Sequence, residues 1–132
     1  MTEALARALA LLSMLGIQEM PEVRLAVRPP LVTTGTVTAA YVRSDEPAVI
    51  YVVQTSEAYR AALRGNPCEL AAAIAHERIH VRQGRYQAPA YAEQLRVLRA
   101  CGAKTGTIAR VAEAAAHFVR DVPPKTKADT KR

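Results

Sequence analysis

Two histidines four residues apart, with a glutamate directly after the first, form the stretch of this chain best suited to chemistry: His76-Glu77-Arg78-Ile79-His80. On a helix, positions i and i+4 point the same way, so both imidazoles can reach a single metal ion. Glu77 follows about 100° round the helix, near enough to meet a water on that metal without displacing it. Zinc in such a place lowers the pKa of its water to about 7 and polarises a carbonyl. Glu77 is then the natural general base, taking a proton from the water and delivering it to a leaving amine. With three His and nine Glu in 132 residues, a chance match to this five-residue pattern is expected at roughly 0.5%.

The chemistry needs a helix, and the flanking residues write one. Asn66-Pro67-Cys68-Glu69 supplies an N-cap, a proline at the first helical position and an acid in the first turn; Gly84 is a natural stop after Gln83. Leu70, Ala73, Ile74 and Val81 give this helix an apolar side. Pro89 opens a second helix through Tyr91, Leu95 and Leu98 to Gly102, and Thr105 or Thr107 opens a last one to about Arg120.

Upstream, residues 3 to 15 repeat apolar positions at helical spacing and end at Gly16. Glu22 to Arg28 and Leu31 to Arg43 alternate and are rich in β-branched residues, with Pro29-Pro30 and Gly35 as punctuation. Asp45-Glu46-Pro47 makes a turn into the clearest strand, Ala48 to Val53, and Ser56 caps a short helix over Glu57 to Arg64. The expected fold is therefore α+β: an N-terminal helix, a small antiparallel sheet, then the helix bearing the two histidines and further helices. A single domain spans residues 1–121, and 122–132 form a disordered basic tail.

Composition agrees with one core. Half of the 132 residues are hydrophobic, aromatics are 5% and Trp is absent, so packing depends on the close approach of Ala, Leu and Val. The net charge is +6, but the tail holds four basic residues against one acid, leaving a mildly basic body with scattered Arg. No nucleic-acid footprint is expected from that pattern. The run from Leu9 to Ile17 is too short to span a bilayer, and it lacks the charged start and cleavage site of a signal peptide. Cys68 and Cys101 stand far apart without CxxC spacing and are expected as reduced, buried thiols. A cytoplasmic protein with no membrane partner is the resulting expectation.

The order of elements, a strand just upstream of an Ala-rich HExxH helix and a tight connection to a second helix with an acid, resembles the zincin metallopeptidases, and among them the minimal gluzincins. The resemblance covers roughly residues 47 to 102. It implies a zinc-dependent metallopeptidase acting on a peptide or protein substrate, with Zn²⁺ held by His76, His80 and a Glu on the second helix. Glu93 is the only acid between His80 and Gly102 and takes that place, with Glu113 and His117 as rivals on the last helix. It also implies that the strand Ala48 to Val53 lies along the cleft and pairs with extended substrate, and that Tyr86, Tyr91 or His117 stabilises the oxyanion. A metzincin third histidine is absent. Two other classes compete: a non-catalytic zinc-containing interaction module with a closed site, and a DNA-associated regulatory domain whose affinity falls steeply with salt.

Overall fold

The chain runs α1 (Glu3–Met14), β1 (Glu22–Ala26), β2 (Ala40–Arg43), β3 (Glu46–Val53), α2 (Glu57–Leu63), α3 (Cys68–Gln83), α4 (Gln87–Ala100) and α5 (Thr105–Ala116). The computed structural model describes residues 2–27 and 38–124. The α+β class and the element order are as expected. The expected strand from Leu31 is described only from Thr38, and Pro29-Pro30, Gly35 and the tail from 125 on lie outside the described residues.

The sheet is mixed, not antiparallel. A turn at Ser44 and Asp45 forces β2 to run antiparallel to β3, from Ala40↔Val52 to Arg43↔Glu46, with an irregularity between Val42 and Arg43. β1 is joined to that hairpin by the long segment 27–39. It lies on the other side of β3, parallel to it, from Glu22↔Val49 to Ala26↔Val53. The order is β1-β3-β2, so β3 is paired on both edges and β2 has an outer edge without a strand partner among the described residues.

Alternation gives the sheet two unlike faces. Ile50 and Val52 of β3, Ala40 of β2, and their neighbours Val23, Leu25 and Val42 join the core with Leu12 of α1 and Leu70 and Ile74 of α3. On the opposite face Tyr41 stacks on Tyr51 with ring centroids 5.3 Å apart, among Arg24, Arg43 and Glu46.

α3 packs against α4 and against β2 and β3, and its small residues Ala71, Ala72 and Ala75, all fully buried, permit close approach. Asn66 Oδ1 accepts from the Cys68 N–H at 3.4 Å at its start. α4 begins at Gln87, two residues before Pro89, which therefore falls in the first turn, where a missing N–H costs nothing. At the far end of α4, Gly102 takes a φ of +74° and the Ala103 N–H reaches back to Leu98 O at 2.9 Å, closing the helix. α5 stops at Ala116, and residues 117–120 form turns rather than the expected helix to Arg120.

The expectation of free thiols is corrected: Cys68 and Cys101 form a disulfide across Cα atoms 5.8 Å apart. α3 and α4 are of similar length and return antiparallel, so the first residue of one meets the residue just after the other. No helix among the described residues is long and apolar enough to cross a membrane.

Candidate metal centre

α3 brings His76, Glu77 and His80 together, with one ligand atom of each within 4.8 Å of the others. This group could hold a metal ion. His76 is buried at 8% exposure, and Glu77 and His80 are partly covered. The two imidazoles face one another, with Nε2 atoms 3.2 Å apart.

What fixes the rings is the bonding of their other nitrogens. His80 Nδ1 lies 2.8 Å from the carbonyl oxygen of Gly84. A carbonyl only accepts, so Nδ1 of His80 carries the proton and Nε2 is left with a bare lone pair. His76 Nδ1 likewise donates to Gln94 Oε1 at 2.8 Å, which frees its Nε2 in the same sense. Orientation of this kind, with the outer N–H held by an oxygen, is how metal-ligating histidines are set. Gly84 makes its part possible: its φ of +90° and ψ of −157° belong to a region open essentially to glycine alone, and they turn its carbonyl back to the end of α3.

A fourth residue joins His76, Glu77 and His80, and it is not an acid. Gln87 Oε1 lies 3.1 Å from His76 Nε2 and 2.9 Å from His80 Nε2. Gln87, Tyr91 and Gln94 stand at i, i+4 and i+7, so one stripe of α4 faces the histidines. Tyr91 sets its ring edge-on to His76 at 4.6 Å between centroids and stacks on Phe118 at 5.7 Å.

Glu93, the expected third ligand, is not in the cluster. Six positions beyond Gln87, it points about 120° away from that stripe and accepts from Arg96 Nε at 2.6 Å. Glu113 and His117 are exposed on and after α5 and stand outside the cluster as well. Of the three candidates for steadying an oxyanion, Tyr91 is at the site. Tyr86 carries the Arg85 guanidinium 5.1 Å over its ring, and His117 caps the end of α5.

Electrostatics set the two titratable partners apart. Burial, helped by the neighbouring His80, pushes His76 down to about 4, against the smaller upward pull of its bonds to Gln94 and Gln87. Burial alone pushes the Glu77 carboxyl up to about 8. The 3.7 Å approach of His76 Nε2 to Glu77 Oε2 is thus no ion pair near neutral pH, because neither group is charged without a metal. Burial, and then Glu77, also raise Tyr91 above its ordinary value.

Two hollows flank the cluster, and Glu77 lines both. One of about 380 Å³ is walled by Val42, Arg43 and Pro47 on one side and His80 and Arg85 on the other. The second, of about 210 Å³, is bounded by Thr38, Ala40, His76, Tyr91 and Gln94. Ala40 and the pair Val42 and Arg43 lie at opposite ends of β2, so β2 runs past the histidines, and β3 adds Pro47 at its start. β3 cannot take up an extended substrate, as was expected of it, because β1 and β2 already fill both of its edges.

Compared with known protein families, curated proteins and solved structures, the chain matches none.

Proposed function

We propose that this protein is a small zinc-dependent metallopeptidase in which His76 and His80 hold the ion and Glu77 is the general base. One observation carries the reading: two Nε2 atoms converge at 3.2 Å while each ring's Nδ1 is committed to an oxygen. Neutral imidazoles so fixed offer lone pairs to one point, which is what zinc takes from histidine. Zinc, when bound, contributes Lewis acidity, polarising a carbonyl and lowering the pKa of a water to about 7.

The remaining work falls to the chain. Glu77, shared by both hollows, takes a proton from the attacking water and passes it to the leaving amine. Burial tunes its carboxyl toward neutrality, where a group can do both. The outer edge of β2, which has no strand partner among the described residues, pairs with an extended peptide, and the hollows at its two ends receive the residues on either side of the scissile bond. Tyr91, beside His76 and Glu77, is the donor placed to steady the oxyanion.

Metal analysis of protein purified without added zinc, paired with a peptide-cleavage assay, tests this. About one zinc per chain is expected, lost in His76→Ala and His80→Ala. Glu77→Gln keeps the metal and cleaves slower by a factor on the order of 10². If the histidine variants keep their zinc, the reading is wrong. If Glu77→Gln loses zinc as readily as they do, Glu77 is a ligand and a non-catalytic zinc module takes its place.

A further inference from the structure

We propose that the side-chain carbonyl of Gln87 is the third protein ligand, completing a neutral donor set of two imidazoles and one amide; the proposal rests on the zinc reading above. Gln87 Oε1 and the two Nε2 atoms outline a triangle with sides of 3.2, 3.1 and 2.9 Å. Ligands about 2.0–2.1 Å from a tetrahedral zinc stand roughly 3.3 Å from one another. The triangle is thus one face of such a site, drawn in by a few tenths of an ångström.

With His76 Nδ1 donating to Gln94 Oε1, as His80 Nδ1 does to the Gly84 carbonyl, no proton is left to hold these three atoms together. An amide oxygen has only lone pairs to offer. Three acceptors at such distances repel one another, and a cation among them turns the repulsion into attraction. An amide also suits both states of the site. Without a cation, half a turn about its last bond presents the NH₂ to the two lone pairs, a service a carboxylate cannot give.

Gln87 is held for the task. It is the first residue of α4; its N–H donates to Asp121 Oδ2 at 2.9 Å, and the next N–H donates to Asp121 O at 3.1 Å. A neutral set leaves the full double charge of the ion facing Glu77, the one carboxylate in the cluster. Compared with a set that includes an anionic ligand, zinc is held more weakly and polarises more strongly.

Zinc affinity of the full chain, measured by competition with a chromophoric chelator, tests the assignment, with the absorption spectrum of the cobalt(II) form as a second readout. Gln87→Glu is expected to bind zinc tighter, and Gln87→Leu weaker, each by at least about tenfold. Both should shift the cobalt spectrum, and Glu93→Gln should match the natural chain. If His80→Ala abolishes binding while both Gln87 variants keep the natural affinity and spectrum, Gln87 is no ligand and this inference alone is lost. If the natural chain takes up no zinc, the metal reading falls and carries this one with it.

Discussion

Asp121 reaches 34 positions back along the chain to cap Gln87, its carboxylate accepting the first N–H of α4 at 2.9 Å. The residue beyond the last helix thereby sets the start of the helix that faces the histidines. Asp121→Ala removes the acceptor of the Gln87 N–H, keeping only the backbone bond to Ala88, and should cost about 1 kcal/mol of stability along with part of the zinc affinity. Asp121→Asn, which keeps an acceptor oxygen, should restore most of both. Chemical unfolding and zinc titration of the two variants decide it; equal loss in both would mean that charge, not the cap, is what matters.

Gly84→Ala places a Cβ on a backbone that only glycine adopts with ease. The added methyl meets no atom within 4 Å, so the cost is conformational rather than steric crowding. A loss of about 1–3 kcal/mol is expected. Because relaxing the strain also moves the carbonyl that holds His80 Nδ1, zinc affinity should drop with it. An alanine variant with lower stability but unchanged zinc affinity would show that His80 keeps its orientation without Gly84.

The metal-free protein should lose stability as pH rises, through Glu77. In the folded chain its carboxyl keeps the proton up to about pH 8, whereas an unfolded chain releases it near 4.5. Between those values the folded state binds more protons, so stability falls with increasing pH. Glu77→Gln removes the effect: in the presence of a chelator, the variant's advantage over the natural chain should grow from pH 5 to pH 8, by on the order of 3–5 kcal/mol at most. His76 works the other way, staying neutral when folded down to about pH 4 and so costing stability as pH falls from 6.5. It is present in both proteins and cancels in the comparison. Urea unfolding at the two pH values gives the answer, and a constant gap would place the Glu77 carboxyl in water.

Reduction of the Cys68–Cys101 disulfide should lower stability by about 2–4 kcal/mol. A Cys68→Ser, Cys101→Ser double variant should match the reduced protein. Thermal unfolding with and without reductant measures the difference, and no change in the natural chain on adding reductant would mean that the bond is not formed.

Local signals made much of this architecture legible. Asn66-Pro67 and Gly84 bracket α3, although Pro67 takes the cap position expected of Asn66 and the helix starts one residue later than read, and the i, i+4 spacing of His76 and His80 is what brings their Nε2 atoms face to face. The fourth residue at the cluster was hidden by a habit of chemistry: a search among acids passes over an amide, although Gln87, Tyr91 and Gln94 share a stripe that spacing alone reveals. Long-range bonds left no local trace at all. Asp121 capping Gln87, β1 lying parallel to β3 and Cys68 meeting Cys101 each depend on how distant segments pack, and the strand pairing misled because a β2–β3 hairpin says nothing of where β1 will go.

The disulfide stands where α3 begins and α4 has ended, while the turn beside His80 and Gln87 lies at the other end of the pair. Everything between Cys68 and Cys101 therefore belongs to a covalent ring, and all the residues of the cluster are threaded on it. A single proteolytic cut in the exposed Gly84–Arg85 turn opens the ring without releasing a fragment. Both halves of the centre stay tethered, and only cutting combined with reduction would let them part.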